Sequence, residues 1–316
     1  MLDEFEQIAQ IMAPLAEKAE GAFALKNDAA VFSHGAGQMS VVTTDTLIAG
    51  VHFFETDAPQ DIAHKLMAVN LSDLAAMGAR PRYYTLNTSY PQQITTDWIK
   101  RFASGLKAQQ ERYNITLLGG DTTCTPGPLT LSLTAFGEVG QGKALPRSGA
   151  KAGDLLCVSG TIGDSALGLL VARGLLEDPT DTLRARYLRP TARVALGQAL
   201  VGTAVTCLDI SDGLVTDFGH MQVGADIQIE NIPLSPGARQ ALTQDSSLLS
   251  IILNGGDDYE LLFCIPSDKQ EDLDTIAQKY DSDIHIIGRI TDKKETRLLY
   301  KDGTQLTDFQ KGYRHF

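Results

Sequence analysis

The chain is poor in cysteine, poor in positive charge and lacks any long apolar run. Its four cysteines, Cys124, Cys157, Cys207 and Cys264, are far apart and form no C-x-x-C pair. That spacing excludes a disulfide framework and a zinc cage, and it reads as four buried thiols. The six histidines show no H-E-x-x-H or other two-His spacing, which disfavours a His-built metal site. Lys and Arg number 27 against 39 Asp and Glu, a net charge of −12. This balance argues against a nucleic-acid partner, since such binding depends on neutralising phosphates. An anionic substrate would need metal cations to reconcile the charges. No apolar run approaches the ~20 residues that cross a bilayer. The first residues, Met1-Leu2-Asp3-Glu4-Phe5-Glu6, are acidic where a secretory signal is basic. No membrane partner and a cytoplasmic address are therefore expected. Two nucleotide motifs are also missing: there is no G-x-x-x-x-G-K-[ST], and no kinase-type glycine loop with an H-R-D segment.

What is present is an ordinary globular composition. The 316 residues, 43% of them hydrophobic, suggest two domains with a core each. Phe5, Ile8, Ile11, Met12 and Leu15 share one helical face. In the first half, strands are predicted at 39–47, 82–89, 115–118 and 129–139, and helices at 61–79 and 96–113. The stretch 140–153, rich in Gly, Lys and Arg, marks the boundary between domains 1–148 and 149–316. In the second half, strands are predicted at 155–159, 207–210, 226–229, 259–265 and 284–290, and helices at 166–173 and 193–200. Strands and helices mix without strict β-α-β alternation, so the fold class is α+β rather than a doubly wound sheet.

The chemistry lies in aspartates set among small residues in turn-like contexts. They are Asn27-Asp28-Ala29, Thr43-Thr44-Asp45-Thr46, Asn70-Leu71-Ser72-Asp73, Gly119-Gly120-Asp121-Thr122, Asp209-Ile210-Ser211-Asp212-Gly213 and Gly255-Gly256-Asp257-Asp258. Several adjoin apolar strands and have no Lys or Arg beside them, so they need a positive partner. Magnesium takes hard oxygen ligands, typically a few carboxylates plus substrate phosphates. Glycine beside a carboxylate lets a phosphate reach the backbone. The set suggests a multi-metal site for a polyphosphate, although any one of these aspartates alone fits a turn or a helix cap as well. Gly160-Thr161-Ile162-Gly163 before a helix reads equally as a phosphate cradle and as a plain strand-to-helix turn.

Several segments together resemble the thiamine-monophosphate kinases: Thr44-Asp45-Thr46-Leu47 with Gly50-Val51-His52-Phe53, Asn70 through Ala79, Gly119-Gly120-Asp121-Thr122-Thr123, Arg147-Ser148-Gly149-Ala150, Asp209 through Leu214, and Lys311-Gly312-Tyr313. The shorter motifs are shared with the wider superfamily that includes aminoimidazole ribonucleotide synthetase. The resemblance implies a two-domain α+β fold whose N-terminal sheets pair into a barrel across a homodimer, with the active site in the cleft between the domains. It implies ATP-dependent phosphorylation of thiamine monophosphate to thiamine diphosphate, the last step of thiamine diphosphate biosynthesis. By this likeness Asp28, Thr43, Thr44, Asp45, Asp73, Asp121, Asp209 and Asp212 hold several Mg²⁺ ions. Gly120, Asp121, Arg147 and Ser211 contact ATP, and His52, Asp257 and Tyr313 contact thiamine monophosphate. No protein residue is expected to act covalently, because the acceptor is already a phosphate anion. The chain departs from the family at Lys26-Asn27-Asp28, where Gly-Asp-Asp is usual, and at Gly256-Asp257-Asp258, where Asp257 stands for a Glu. The competing readings are another ATP-dependent enzyme of the superfamily and a non-catalytic Mg-nucleotide sensor.

Overall fold

The structure is a computed structural model that describes residues 6, 8–19, 36–280 and 282–307, with backbone alone for residues 8 and 9. Two compact units divide the chain. One comprises Met1–Leu74 and Ala79–Gly142, the other Ala75–Gly78 and Lys143–Phe316.

The first unit is built on a four-stranded sheet in the order β1-β4-β2-β3, from β1 (Gln38–Ile48), β2 (Arg80–Tyr90), β3 (Thr116–Cys124) and β4 (Thr130–Gly140). Pairing is antiparallel except for β2 with β3, so this open sheet is mixed. From Ser40 onward β1 alternates: Ser40, Val42, Thr44 and Thr46 are exposed, while Thr43, Asp45 and Leu47 are sheltered. Two helices accompany the sheet, α1 (Pro59–Ala76) and α2 (Thr96–Tyr113). α2 starts where the Thr95 hydroxyl accepts the Trp98 N–H and stops at Asn114, which takes a left-handed φ of 52°. Ile99, Phe102, Ala103 and Leu106 form its buried stripe. The single N-terminal helix expected from periodicity is instead a π-helical turn, Ile8–Met12, followed by a 3₁₀ turn, Ala13–Ala16. Pro14 donates no N–H and blocks a continuous α-helix there. Phe5 lies outside the described residues.

β3 is longer than expected and runs through Gly119, Gly120 and Asp121. Glycine is required at position 120, where a Cβ would lie 1.7 Å from the Leu86 carbonyl oxygen. Asp121 therefore sits in a strand, as does Asp45, and Asp73 sits inside α1. None of these three is in a turn.

The second unit carries a six-stranded sheet, β10-β7-β9-β5-β8-β6. Its strands are β5 (Leu155–Ser159), β6 (Thr206–Asp209), β7 (Gly224–Gln228), β8 (Leu261–Ile265), β9 (Ile284–Thr291) and β10 (Arg297–Leu299). All neighbours are antiparallel except β7 with β10, which fits the α+β expectation. β5 and β8 are buried along their whole length and read as continuous apolar runs. The helices are α3 (Asp164–Ala172), α4 (Thr182–Leu188), α5 (Val194–Leu200), α6 (Leu214–Gly219), α7 (Pro236–Gln244), α8 (Leu248–Asn254) and α9 (Gln270–Tyr280). Leu156, Leu167, Leu214, Phe218, Ile252 and Leu262 stand in one continuous core beneath them. Three of the four thiols are buried as expected, but Cys124 is exposed because it ends an edge strand. No helix among the described residues is long and apolar enough to cross a membrane.

Candidate active site

In the first unit, strand parity assembles the acidic group. Thr43 and Asp45 are two residues apart on β1 and so face the same way. Asp73, nearly four turns into α1, meets them: the Thr43 hydroxyl donates to Asp73 Oδ2 at 2.5 Å. Burial first, then the Asp73 charge and a hydrogen bond with Asp73, raise the Asp45 pKa from 3.8 to about 6. Two carboxylates crowded in a sheltered position suit a cation poorly supplied by this acidic chain.

Thr44 does not join them. It lies on the other face of β1, where it donates to the Leu133 carbonyl at 3.2 Å and accepts from Thr134 Oγ1 at 3.0 Å. Asp121 is also apart. The Thr88 hydroxyl donates to Thr122 Oγ1 at 3.3 Å, which puts Thr122 on the covered side and its neighbour Asp121 on the exposed side. β3 and β1 are opposite edges of the sheet, three strand spacings or about 14 Å apart. His52 folds back on its own turn, and its Nδ1 accepts the Ile48 N–H at 3.0 Å. The Lys65 ammonium donates to the His52 carbonyl at 3.2 Å. Asp28 and Tyr313, with Lys26, Asn27, Lys311 and Gly312, lie outside the described residues.

In the second unit, the end of β6 gathers another group. Asp209 closes the strand and is buried. Ser211-Asp212-Gly213 then turns into α6, and the Asp217 carboxylate accepts N–H bonds from all three residues at 2.9, 2.9 and 3.1 Å. Burial outweighs those bonds and raises Asp217 to about 7. Ligand atoms of Asp212, Asp217 and His220 lie within 4.8 Å of one another. Asp257 approaches the same turn, since its N–H donates to the Ser211 carbonyl at 2.8 Å. Asp209, Ser211, Asp212 and Asp257 are thus neighbours. Arg147 is exposed on a segment tied alongside β6 by the Cys207 N–H, which donates to the Pro146 carbonyl at 2.9 Å.

The Gly160–Gly163 loop is not a phosphate cradle. Three of its four N–H groups are already taken: Gly160 donates to the Asp283 carbonyl and Ile162 to the Pro233 carbonyl, both at 2.9 Å, and Gly163 donates to the Asp258 carboxylate at 2.7 Å, where the Ser165 N–H joins it at 3.3 Å. Asp258 is buried, and burial raises it to about 8. Beside it Glu260, fully buried, receives Arg186 and Arg193 and the Ser159 hydroxyl. Their charges pull its pKa below the usual range against the opposing effect of burial.

Sequence reasoning named the segment holding Asp258 and Tyr259 without giving either residue a role, and it missed Asp217, His220 and Glu260. One signal was available. Glu260 is a lone acid at the head of the apolar run Leu261-Leu262-Phe263-Cys264-Ile265, and a charge there demands buried partners. The others are recruited by the fold and have no local signature.

Known proteins supply the context. The family model for the AIR synthase related protein N-terminal domain matches residues 26–139, and that for the C-terminal domain matches residues 151–301. The thiamine-monophosphate kinase of Haemophilus influenzae is 38% identical over 301 residues, covering 92% of this chain and 90% of its own. That of Escherichia coli K12 is 39% identical over 298 residues with the same coverage. Among solved structures, a thiamine-monophosphate kinase from Stenotrophomonas maltophilia K279a superposes with a TM-score of 0.85 at 42% identity, over 94% of this chain and 96% of the other. AaThiL complexed with AMPPCP and TMP superposes with a TM-score of 0.77 at 30% identity, over 99% and 97%. A hydrogenase maturation protein HypE, at 18% identity and a TM-score of 0.81, shares the fold alone.

Proposed function

From the thiamine-monophosphate kinase family, to which this chain belongs, we infer its reaction: transfer of the γ-phosphoryl group of ATP to thiamine monophosphate, giving ADP and thiamine diphosphate. The observation that carries this reading is 38–39% identity to such kinases over nine-tenths of both sequences. A relative that binds AMPPCP, an ATP analogue, together with TMP supports the same pair of substrates.

The donor set in the first unit fits Mg²⁺. The Thr43 hydroxyl and the Asp45 and Asp73 carboxylates are hard oxygens, and the raised Asp45 pKa records first its burial and then the neighbouring Asp73 charge, both of which a cation would offset. When bound, Mg²⁺ supplies neutralisation of the transferring phosphoryl group. Thr43, Asp45 and Asp73 would hold one ion. Asp28, Thr44, Asp121, Asp209 and Asp212 are proposed for others. Gly120 offers backbone without a side chain in the way, the Ser211 hydroxyl donates to a phosphate oxygen, and Arg147 pairs with two such oxygens. His52, Asp257 and Tyr313 are proposed to position thiamine monophosphate. The acceptor phosphate is ionised at neutral pH, so the residues need only align it in line with the γ-phosphorus. The division of roles between 1–148 and 149–316 and a cytoplasmic setting belong to the same proposal.

The sheet supports a homodimer. Thr44 and Asp121 both face the exposed side, but on opposite edge strands about 14 Å apart, too far to share an ion within one copy. A symmetric second copy that sets its β3 against this β1 would bring them together, and two such pairings close eight strands into a barrel. Met39 and Val42, 50% and 56% exposed on that edge strand, favour being covered.

Product analysis of the purified chain with ATP, Mg²⁺ and thiamine monophosphate tests the reading. Equal amounts of ADP and thiamine diphosphate are expected. Nucleotide binding with neither product would indicate a sensor. ADP formed only with an aminoimidazole-type precursor would indicate the related synthetase.

A further inference from the structure

We propose that Tyr259 is a positioning residue for thiamine monophosphate: its hydroxyl aims the Asp257 carboxylate, and buried Asp258 and Glu260 hold the pair in place. The proposal rests on Asp257 being a substrate contact.

The segment 257–260 alternates. Asp257 and Tyr259 turn one way, and the Tyr259 hydroxyl donates to Asp257 Oδ1 at 2.9 Å. Asp258 and Glu260 turn the other way and are buried at 2% and 0% exposure; Tyr259 is itself buried, while Asp257 is half-buried. Neither Asp257 nor Tyr259 is glycine, yet both take left-handed φ values, 66° and 54°. Such a conformation persists only where the surroundings over-determine it.

Those surroundings are explicit. The Asp257 and Tyr259 N–H groups donate to the carbonyls of Ser211 and Ile210, both at 2.8 Å. The Ile210 N–H donates to the Glu260 carbonyl at 2.9 Å. The Asp258 carboxylate fastens the segment to the start of α3. Arg193 grips Glu260 through two nitrogens, each 2.6 Å from a different carboxylate oxygen, and Arg186 adds a third contact at 2.6 Å. Gly256 just before the segment has no room for a Cβ, which would lie 2.3 Å from the Ser211 carbonyl oxygen. A backbone anchored this firmly fixes the direction from which the short Asp257 carboxylate starts. The Tyr259 hydroxyl restrains the rotation of the Asp257 side chain.

The test is a double-mutant cycle on the full chain with Tyr259→Phe and Asp257→Asn, reading KM for each substrate and the melting temperature. Tyr259→Phe keeps the ring and should raise KM for thiamine monophosphate roughly three- to tenfold, with KM for ATP within about twofold. Asp257→Asn should raise the same KM at least as much, and the double variant should match Asp257→Asn alone. A normal KM in Tyr259→Phe while Asp257→Asn is impaired would overturn the proposal. So would equal changes for both substrates, or additive effects. A silent Asp257→Asn would overturn the substrate role of Asp257 itself and this proposal with it.

Discussion

A carboxylate that accepts several backbone N–H bonds is ordinarily a strong acid, yet Asp217 and Asp258 are pushed up to about 7 and about 8. Burial dominates in both. For Asp258 the folded chain binds its proton far more tightly than the unfolded chain, whose carboxyl stays near 3.8. The associated stability is fully present below the unfolded value and is lost as pH rises through the folded value near 8. Thermal melts from pH 5 to pH 9 should therefore fall more steeply for the natural chain than for Asp258→Asn, whose amide oxygen still accepts from Gly163. Parallel declines would contradict this assignment. Asp45 obeys the same logic: burial is again the largest cause, and the neighbouring Asp73 adds to it. Of the site residues, the Thr43–Asp45 pair could be read from the sequence, since strand period two puts them on one face. That Thr44 faces away follows from the same rule, and the resemblance concealed it by grouping all three.

At the scale of elements, legibility followed length and local chemistry. The helix Thr96–Tyr113 was predicted to the residue, because a capping threonine, an apolar stripe and a left-handed asparagine all agree. The strand Leu155–Ser159 was equally clear as a short apolar run. The helices Thr182–Leu188, Pro236–Gln244 and Leu248–Asn254 passed unread, since seven to nine residues hold too few turns for periodicity to stand out. β3 was cut short at Leu118 because its two glycines look like a turn. What overrides that signal is non-local: pairing with β2 needs backbone close to Leu86, and glycine alone permits it. Asp45, Asp73 and Asp121 were misplaced into turns for the same reason. Their small neighbours serve close approach within strands and a helix, not chain reversal.

For the whole molecule, the proposed dimer and the proposed metal site are linked. If β1 and β3 edges of two copies close the sheet, Val42→Arg on the exposed face should convert a dimer into a monomer in size-exclusion chromatography with light scattering. Activity should fall with it, since Asp121 would lose its place opposite Thr44. A natural chain that is monomeric and fully active would refute the arrangement. The central claim is that Asp45 and Asp73 grip the ion that makes phosphoryl transfer to thiamine monophosphate possible. The most direct measurement is the Mg²⁺ dependence of thiamine diphosphate formation in the natural chain and in Asp73→Asn. Turnover in the variant should drop roughly 100-fold or more at limiting Mg²⁺, while its melting temperature holds or rises as the repulsion on Asp45 is relieved. Normal turnover in Asp73→Asn at limiting Mg²⁺ would contradict the account.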